Sequence, residues 1–517
     1  MRKSFVRGAF ILMAAGLVAR LIGFAYRIFL SNLIGAEGMG LYELIVPVYT
    51  AVVLTITAGM TIAVSKMVAE QNARNNQANS GRITVCALAL VVAAGIAVSL
   101  FIYINADTMS LRVLGDERTH NALLVLVPCL PAVVAASALK GYFYGIQQVV
   151  PTAVSQIAEQ AVKIGVLLLF AAAISGKGAE FACTVATLAA ALGEVANLLI
   201  LLAVFSFKQK PSIKVRRPGK PMRRRSIVTE LLKASVPVSA NRLVISSLSA
   251  VEFIMIPSML VLGGMDDKSS MELFGRLTGM ALPLIMFPSL VTNSLATTLV
   301  PAISESISLK RFRTVNYQIS KSIQVTFLLG IMFTALFLSF PDEIGALVYR
   351  REKIGDLLFM LAFACIFIYL QQMLTGVMNG LGKQGTLLVN TIVGSVIRIA
   401  VAYFFIPVLG IRSYIFGLTA SLILTETLNL IAINRITGLI FDLREWLIKP
   451  GLVGAAMVLL GNLIKRFSGA LHAEGTATTF LTLLVFGLAA LVLMLVTGIL
   501  RPKELWELAG MKKEEKA

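Results

Sequence analysis

The sequence predicts an all-α polytopic membrane protein, and three observations carry that prediction. The chain is 57% hydrophobic and only 14% charged, with a mean hydropathy of +0.85, and a soluble domain of that balance would expose far too much apolar surface. Apolar segments of roughly 17–30 residues, the length that crosses a bilayer as a helix, recur along all 517 residues. The loops between them alternate between basic and nearly neutral.

The segments fall at about 8–30, 41–65, 83–104, 121–139, 152–174, 181–205, 231–260, 272–304, 323–340, 355–380, 386–407, 412–433, 450–464 and 479–500, which makes fourteen helices. The first is preceded by a short basic stretch, but it is too long for a signal-peptide core and lacks a small-x-small cleavage site, so it reads as a permanent helix. The eighth is long and interrupted by Pro283, Pro288 and Pro301, each of which removes a helical N–H. The thirteenth is short. Loops on the side of the N-terminus carry nearly three times as many Lys and Arg as those on the other side. That bias predicts a multi-pass membrane protein with both termini cytoplasmic.

The largest basic connection, "KQKPSIKVRRPGKPMRRR" at 208–225, holds nine cations and no acid. It reads as a linker between two halves, fixing topology or touching anionic headgroups, and it accounts for much of the +19 net charge without nucleic acid. The halves themselves echo one another. "GYFYGIQQVVPTAVSQIAEQAVKI" (141–164) matches "GVMNGLGKQGTLLVNTIVGSVIRI" (376–399) at a constant offset of 235, pairing Gly141 with Gly376, Gly145 with Gly380 and Lys163 with Arg398. A weaker echo pairs "AVSK" at 63–66 with "AISE" at 302–305, at offset 239. The predicted organisation is an N-terminal six-helix lobe (1–207), the linker (208–226), a pseudo-symmetric second lobe (227–434), and helices 13 and 14 with a tail (435–517). Transporters built from two parallel repeats bind substrate near the midplane between them.

Charged residues inside apolar segments are the candidate functional residues, because a charge at mid-membrane is costly and faces a bundle interior or a wet cavity. The cations are Arg20, Arg27, Lys163, Arg242, Arg276 and Arg398; the acids are Glu43, Glu159, Glu194, Glu252 and Glu426. Arg20 and Arg27, seven apart, share a face of the first helix. Glu159 and Lys163, four apart, can pair on one face. Glu43 and Arg276 lie near helix ends, within reach of the interface. A cation excess suits an anionic headgroup, and arginine's planar fork suits phosphate. The alternative is that the arginines pair with Glu43, Glu194 or Glu252 to hold the bundle. The acids are also the candidates for ion coupling.

Other chemistries lack their residues. The four cysteines stand singly in apolar runs as small core residues, and the two histidines, His120 and His472, fall in predicted loops, so neither a metal site nor a cofactor is expected. "GLGKQG" at 380–385 lacks the spacing of a nucleotide-binding P-loop. A membrane polymerase or glycosyltransferase would need larger outer loops.

Taken together, "GLVARLIGFAYRIFLSNLIGAEGMGLYELIVPVY", "AGMTIAVSKMVAE", "QIAEQAVKIGVLLL" and "LATTLVPAISES" resemble the stage V sporulation protein B family. That family lies in the multidrug/oligosaccharidyl-lipid/polysaccharide exporter superfamily, and the resemblance runs through most of the chain. It implies two lobes about a central cavity, and outward flipping of an undecaprenyl-pyrophosphate-linked saccharide of the lipid II type, with spore cortex as one destination. No bond is broken in that process. The resemblance further implies cell-wall synthesis proteins as neighbours, and it leaves export of small cationic compounds or a non-transport role in wall synthesis as alternatives. The lipid II flippases carry R-x-x-G-x-x-R in the first helix. Arg20 and Gly23 match it, whereas Tyr26 takes the place of the second arginine and Arg27 follows one residue later. Arg276 ahead of "LVPAIS" resembles their helix-8 arginine, and their helix-2 arginine has no counterpart here.

Overall fold

The computed structural model describes residues 2–74, 76–208, 222–439, 442, 444–470 and 476–497. Most of the basic linker (209–221), His472 and the tail from 498 onward lie outside the described residues. The main helices are α1 (Arg2–Ala73), α2 (Gln77–Ile104), α3 (Leu130–Gly145), α4 (Val150–Lys208), α5 (Arg224–Leu262), α6 (Asp267–Phe274), α7 (Ser289–Ser308), α8 (Phe312–Ser339), α9 (Cys365–Gly380), α10 (Gln384–Leu409), α11 (Ile411–Thr437), α12 (Lys449–Ala470) and α13 (Thr476–Val496). Among the described residues, eleven helices are long and apolar enough to cross a membrane, and two bent pairs raise this to thirteen.

The first of the eleven carries two predicted segments. α1 is broken at Gly35, whose φ of 71° and ψ of −179° suit only a residue without Cβ. Gly178 breaks α4 in the same way, with φ 82° and ψ 176°, into arms 150–174 and 176–207. The predicted eighth segment is a bent pair, Asp267–Met286 and Ser289–Ser308, meeting at 58° where Pro288 precedes α7. The short thirteenth segment extends, with its π-helical lead-in Arg444–Ile448, to Ala470.

Packing divides the chain into two compact units, 1–279 with 402–410, and 280–401 with 411–517. This division falls beyond the basic linker at which the sequence was divided. The reason is close approach within the first unit: α5 and α6 reach α1 through glycines. A Cβ on Gly59 would strike the Ser235 carbonyl, and one on Gly275 the Ala36 carbonyl.

Each unit also contains one copy of the repeated glycines, used alike. In the first, a Cβ on Gly141 or Gly145 would lie 2.8 Å from the carbonyl of Thr61 or Ser65. In the second, Gly376 meets the Ala296 carbonyl at 2.6 Å and Gly380 the Val300 carbonyl at 3.1 Å. Thr61 and Ala296 differ by 235, as do Ser65 and Val300, so both partners keep one register. The apparent offset of 239 at 63–66 is therefore corrected: the contacts place Ser65 opposite Val300. Apolar cores surround these contacts, with Val64, Val68, Leu139 and Phe143 in the first unit and Ile303, Leu374, Val377 and Met378 in the second. Of the cysteines, Cys129, Cys183 and Cys365 are buried and free and Cys86 is half-buried.

Candidate functional site: intramembrane charge clusters

In the first unit, Arg27 is held by a defect in helix geometry. Residues Gly275–Ala281 wind as a π-helix and run into Pro283. Proline has no N–H, so one helical donor is missing from the turn that carries the carbonyls of Thr278 and Gly279, five and four residues before it. Arg27 supplies it: Nη2 donates to the Thr278 carbonyl at 3.0 Å and Nε to the Gly279 carbonyl at 3.3 Å. The same Nη2 donates to Glu43 Oε1 at 2.5 Å, and Ser31 Oγ adds a bond to the Gly279 carbonyl at 3.4 Å. Glu43 is buried. Charge-assisted bonds of this kind are about twice as strong as neutral ones. Arg276, half-buried in the π-helical segment, donates to Glu272 at 3.4 Å.

The second cluster lies on α4. Lys163 Nζ donates to Glu159 Oε1 at 2.6 Å, and Asn197 Nδ2, from the other arm, donates to Glu159 Oε2 at 2.9 Å. Both carboxylate oxygens are thereby satisfied. Gly193 makes room for the lysine stem, since a Cβ there would lie 2.7 Å from Lys163 Cγ. Glu194 is within electrostatic reach of Glu159, Lys163 and Lys140. Tyr42 joins the clusters, within reach of Lys163 on one side and Glu43 and Arg27 on the other. Gly23 faces the Gln160 side chain at 3.9 Å. The first unit thus carries two bonded charge clusters, with Tyr42 within electrostatic reach of both.

The second unit is built differently. Arg398 on α10 donates to Ser421 Oγ at 3.3 Å and Ser395 Oγ at 3.1 Å. Glu426 on α11 is 1% exposed. It accepts from Asn429 Nδ2 at 3.1 Å, and Asn429 Oδ1 accepts from Asn390 Nδ2 at 2.8 Å. Glu426 Oε1 and Thr425 Oγ1 are buried without a hydrogen-bond partner. No cation among the described residues pairs with Glu426.

Sequence similarity assigns the chain. A family model described as "Polysaccharide biosynthesis protein" matches residues 5–307, more than half the chain, and the MatE model matches 246–404. The protein belongs to the polysaccharide biosynthesis protein family. Stage V sporulation protein B of Bacillus subtilis (strain 168) is 29% identical over 448 residues, covering 86% of each chain. Lipid II flippase MurJ of the same strain is 24% identical over 435 residues, covering 77% of each. In fold, the chain resembles the lipid II flippase MurJ in an inward closed conformation, at a TM-score of 0.70 and 11% identity over 94% of this chain and 98% of that one. It also resembles an inward-facing multidrug resistance MATE transporter, at a TM-score of 0.68 and 18% identity over 81% and 95% of the two chains. This family member is thus a multi-pass membrane protein of the flippase and transporter superfamily.

In this family member ten of the eleven candidate charges separate into three groups, and Arg276 pairs apart from them with Glu272. Arg27 with Glu43, and Glu159 with Lys163 and Glu194 nearby, make up the two clusters of the first unit. Arg398 and Glu426 sit on neighbouring helices of the second unit without pairing. Arg20 and Arg242 are exposed and have no bonded partner among the described residues, while Glu252 is buried on α5. A scan for charges missed the amides that bridge them: Asn197, Asn390 and Asn429. Polar side chains facing one another across a helix hairpin were the available signal. It also missed Lys140, which sits one residue past the predicted end of its segment but inside the span 117–145.

Proposed function

We propose that this protein flips a polyprenyl-pyrophosphate-linked saccharide, of the lipid II type, outward across the cytoplasmic membrane by alternating access. The observation that carries the reading is the first helix. Arg20 presents a guanidinium with no bonded partner among the described residues, two turns from an Arg27 whose bonds are to a carboxylate and two backbone carbonyls. A pyrophosphate would satisfy Arg20 bidentately. It would also compete for Arg27 with Glu43 and the carbonyls of Thr278 and Gly279. Binding of the headgroup and release of α1 from the segment 275–281 then become one event. The names of the relatives support the substrate class, and the Lys and Arg bias of the loops supports cytoplasmic termini.

On this reading the six-helix lobes 1–207 and 227–434 rock about the substrate while the polyprenyl tail stays in lipid. Arg242, Arg276, Arg398 and Lys163 add to the positive lining. The carboxylates Glu43, Glu159, Glu194, Glu252 and Glu426 carry any ion coupling, with Glu426 foremost because a cation or proton would complete its open coordination. Helices 13 and 14 lie outside the repeat and offer a surface for wall-synthesis partners. The reaction is transport and needs no cofactor.

The test is translocation of labelled undecaprenyl-pyrophosphate disaccharide-pentapeptide in proteoliposomes, wild type against Arg20→Ala. Loss of hydrogen bonds to a charged group, about 1.5–3 kcal/mol, predicts a tenfold to hundredfold fall in transport with unchanged thermal stability. Equal rates would remove Arg20 from the substrate site. No transport by folded wild type under proton, sodium or potential gradients would refute lipid II as substrate.

A further inference from the structure

A second basic surface forms at the start of α5, just after the linker. Asn79, in the first turn of α2, accepts the backbone N–H of Met222 through Oδ1 at 3.2 Å. Its Nδ2 donates to Gln71 at the end of α1 at 3.3 Å. Met222 also packs on the apolar cluster built around Ile227, Leu231, Leu201 and Phe205. These ties hold the start of α5 against the α1–α2 turn and so join two segments far apart in sequence. Arg223, Arg224 and Arg225 follow Met222 directly, and Arg74 and Arg82 flank Asn79. All five arginines are exposed, and none has a bonded partner among the described residues. Neither α2 nor α5 has an acidic residue in its first turn.

The occupant follows from what lies along the same helix faces. Arg82 heads a stripe of α2 that continues through Val85, Ile96 and Leu100, each more than half exposed and apolar. Arg225 heads a similar stripe of α5 that continues through Leu232, Val236 and Leu243. Those spacings keep each set on one face. Cations at the point where a lipid-facing apolar stripe ends stand at headgroup depth. We infer that this five-arginine patch binds the phosphodiester headgroups of anionic phospholipid in the cytoplasmic leaflet, and thereby pins the foot of α5 to the α1–α2 turn. The leaflet assignment rests on the orientation proposed above; the binding itself does not.

The experiment is lipid retention by the purified full-length protein, read by native mass spectrometry from micelles of phosphatidylglycerol and phosphatidylcholine. Wild type is expected to retain phosphatidylglycerol preferentially. The preference should fall about tenfold or more when all five arginines become glutamine, persist when they become lysine, and weaken in about 0.5 M salt. Lysine variants that fold and retain the lipid guard against a mere folding defect in the glutamine set. Asn79→Ala, which alters no charge, should lower the preference by separating the two arms of the patch. Equal retention by wild type and the glutamine variant overturns the proposal. So does displacement by inorganic pyrophosphate without enrichment of phosphatidylglycerol, which would assign the patch to a soluble phosphate. Transport is not read, so failure here leaves the flippase reading standing.

Discussion

The two arms of α4 and the α10–α11 pair occupy the same place in the repeat, yet they handle charge in opposite ways. Lys163 and Arg398 correspond at the offset of 235, and a positive-φ glycine turns each hairpin, Gly178 in one and Gly410 in the other. In the first, the cation is neutralised one turn away by Glu159, with Asn197 closing the carboxylate's second oxygen. In the second, the position equivalent to Glu159 is Gly394, and Arg398 donates to the hydroxyls of Ser421 and Ser395. The carboxylate appears instead on α11 as Glu426, bonded only to an amide. A duplicated scaffold has thus kept its turns and its cation while separating the negative charge from it. A carboxylate neutralised on its own arm and bonded by an amide from the other serves to hold the two arms together. A buried carboxyl with an open oxygen is available for change of state.

The largest predicted difference between the hairpins comes from removing each carboxylate. Glu159→Gln strands the Lys163 ammonium, whose side chain is 13% exposed. Breaking a buried pair costs about 3–5 kcal/mol, and the low end is expected because Glu194 remains in reach. Glu426→Gln strands no cation and keeps the bond from Asn429, so its cost should stay within about 1 kcal/mol. Thermal unfolding in detergent compares the two directly, and Lys163→Met added to Glu159→Gln should recover most of the loss. Equal costs at 159 and 426 would sink the contrast.

The glycine contacts predict the reverse, namely equality. Gly141 and Gly376 approach backbone carbonyls that cannot rotate aside, so an alanine at either forces the helices apart. Overpacking costs about 1–3 kcal/mol, and the two variants should agree with each other more closely than either agrees with an alanine at exposed Gly385, which has nothing within 4 Å. A cost at one site only would mean that the repeat is preserved in sequence but not in load.

Much of this was legible from residue order. The apolar segments announced an all-helical membrane fold, and an offset of 235 found the glycine pair and the matched cations before any contact was known. The i,i+4 spacing of Glu159 and Lys163 implied the bond that forms. Partners set by non-local packing were not legible. Nothing near Arg27 in sequence indicates that a proline more than two hundred residues away removes a donor from the turn whose carbonyls it binds. Nothing in composition indicates that Asn197 and Asn429 stand between helices, because a neutral amide inside an apolar run carries no signal until the facing helix is known. The packing division at Gly279 escaped for the same reason, since it depends on α5 meeting Gly59 of α1 and on Gly275, just past α6, meeting the Ala36 carbonyl. A charged linker marks where a chain can be cut, and close contacts decide where it coheres.

The smallest effect isolates why the second hairpin lost its acid. Gly394 stands where the first hairpin has Glu159, and a Cβ there would run into Thr425 Oγ1, whereas Thr425 Cβ lies at 3.7 Å. Any side chain at 394 therefore meets one hydroxyl that itself has no hydrogen-bond partner. Gly394→Ala should cost about 1–2 kcal/mol. Thr425→Ala alone should cost little, since it removes an unsatisfied buried polar atom. The double variant should then be more stable than Gly394→Ala by most of that cost, a coupling that only contacting residues show. If the effects simply add, the hydroxyl is not the obstacle, and the glycine must instead reflect the approach of Arg398, whose Nη1 lies 3.5 Å from the same Cβ position. Arg398→Lys in the Gly394→Ala background separates those cases, because the shorter cation would withdraw from the new methyl while leaving Thr425 in place.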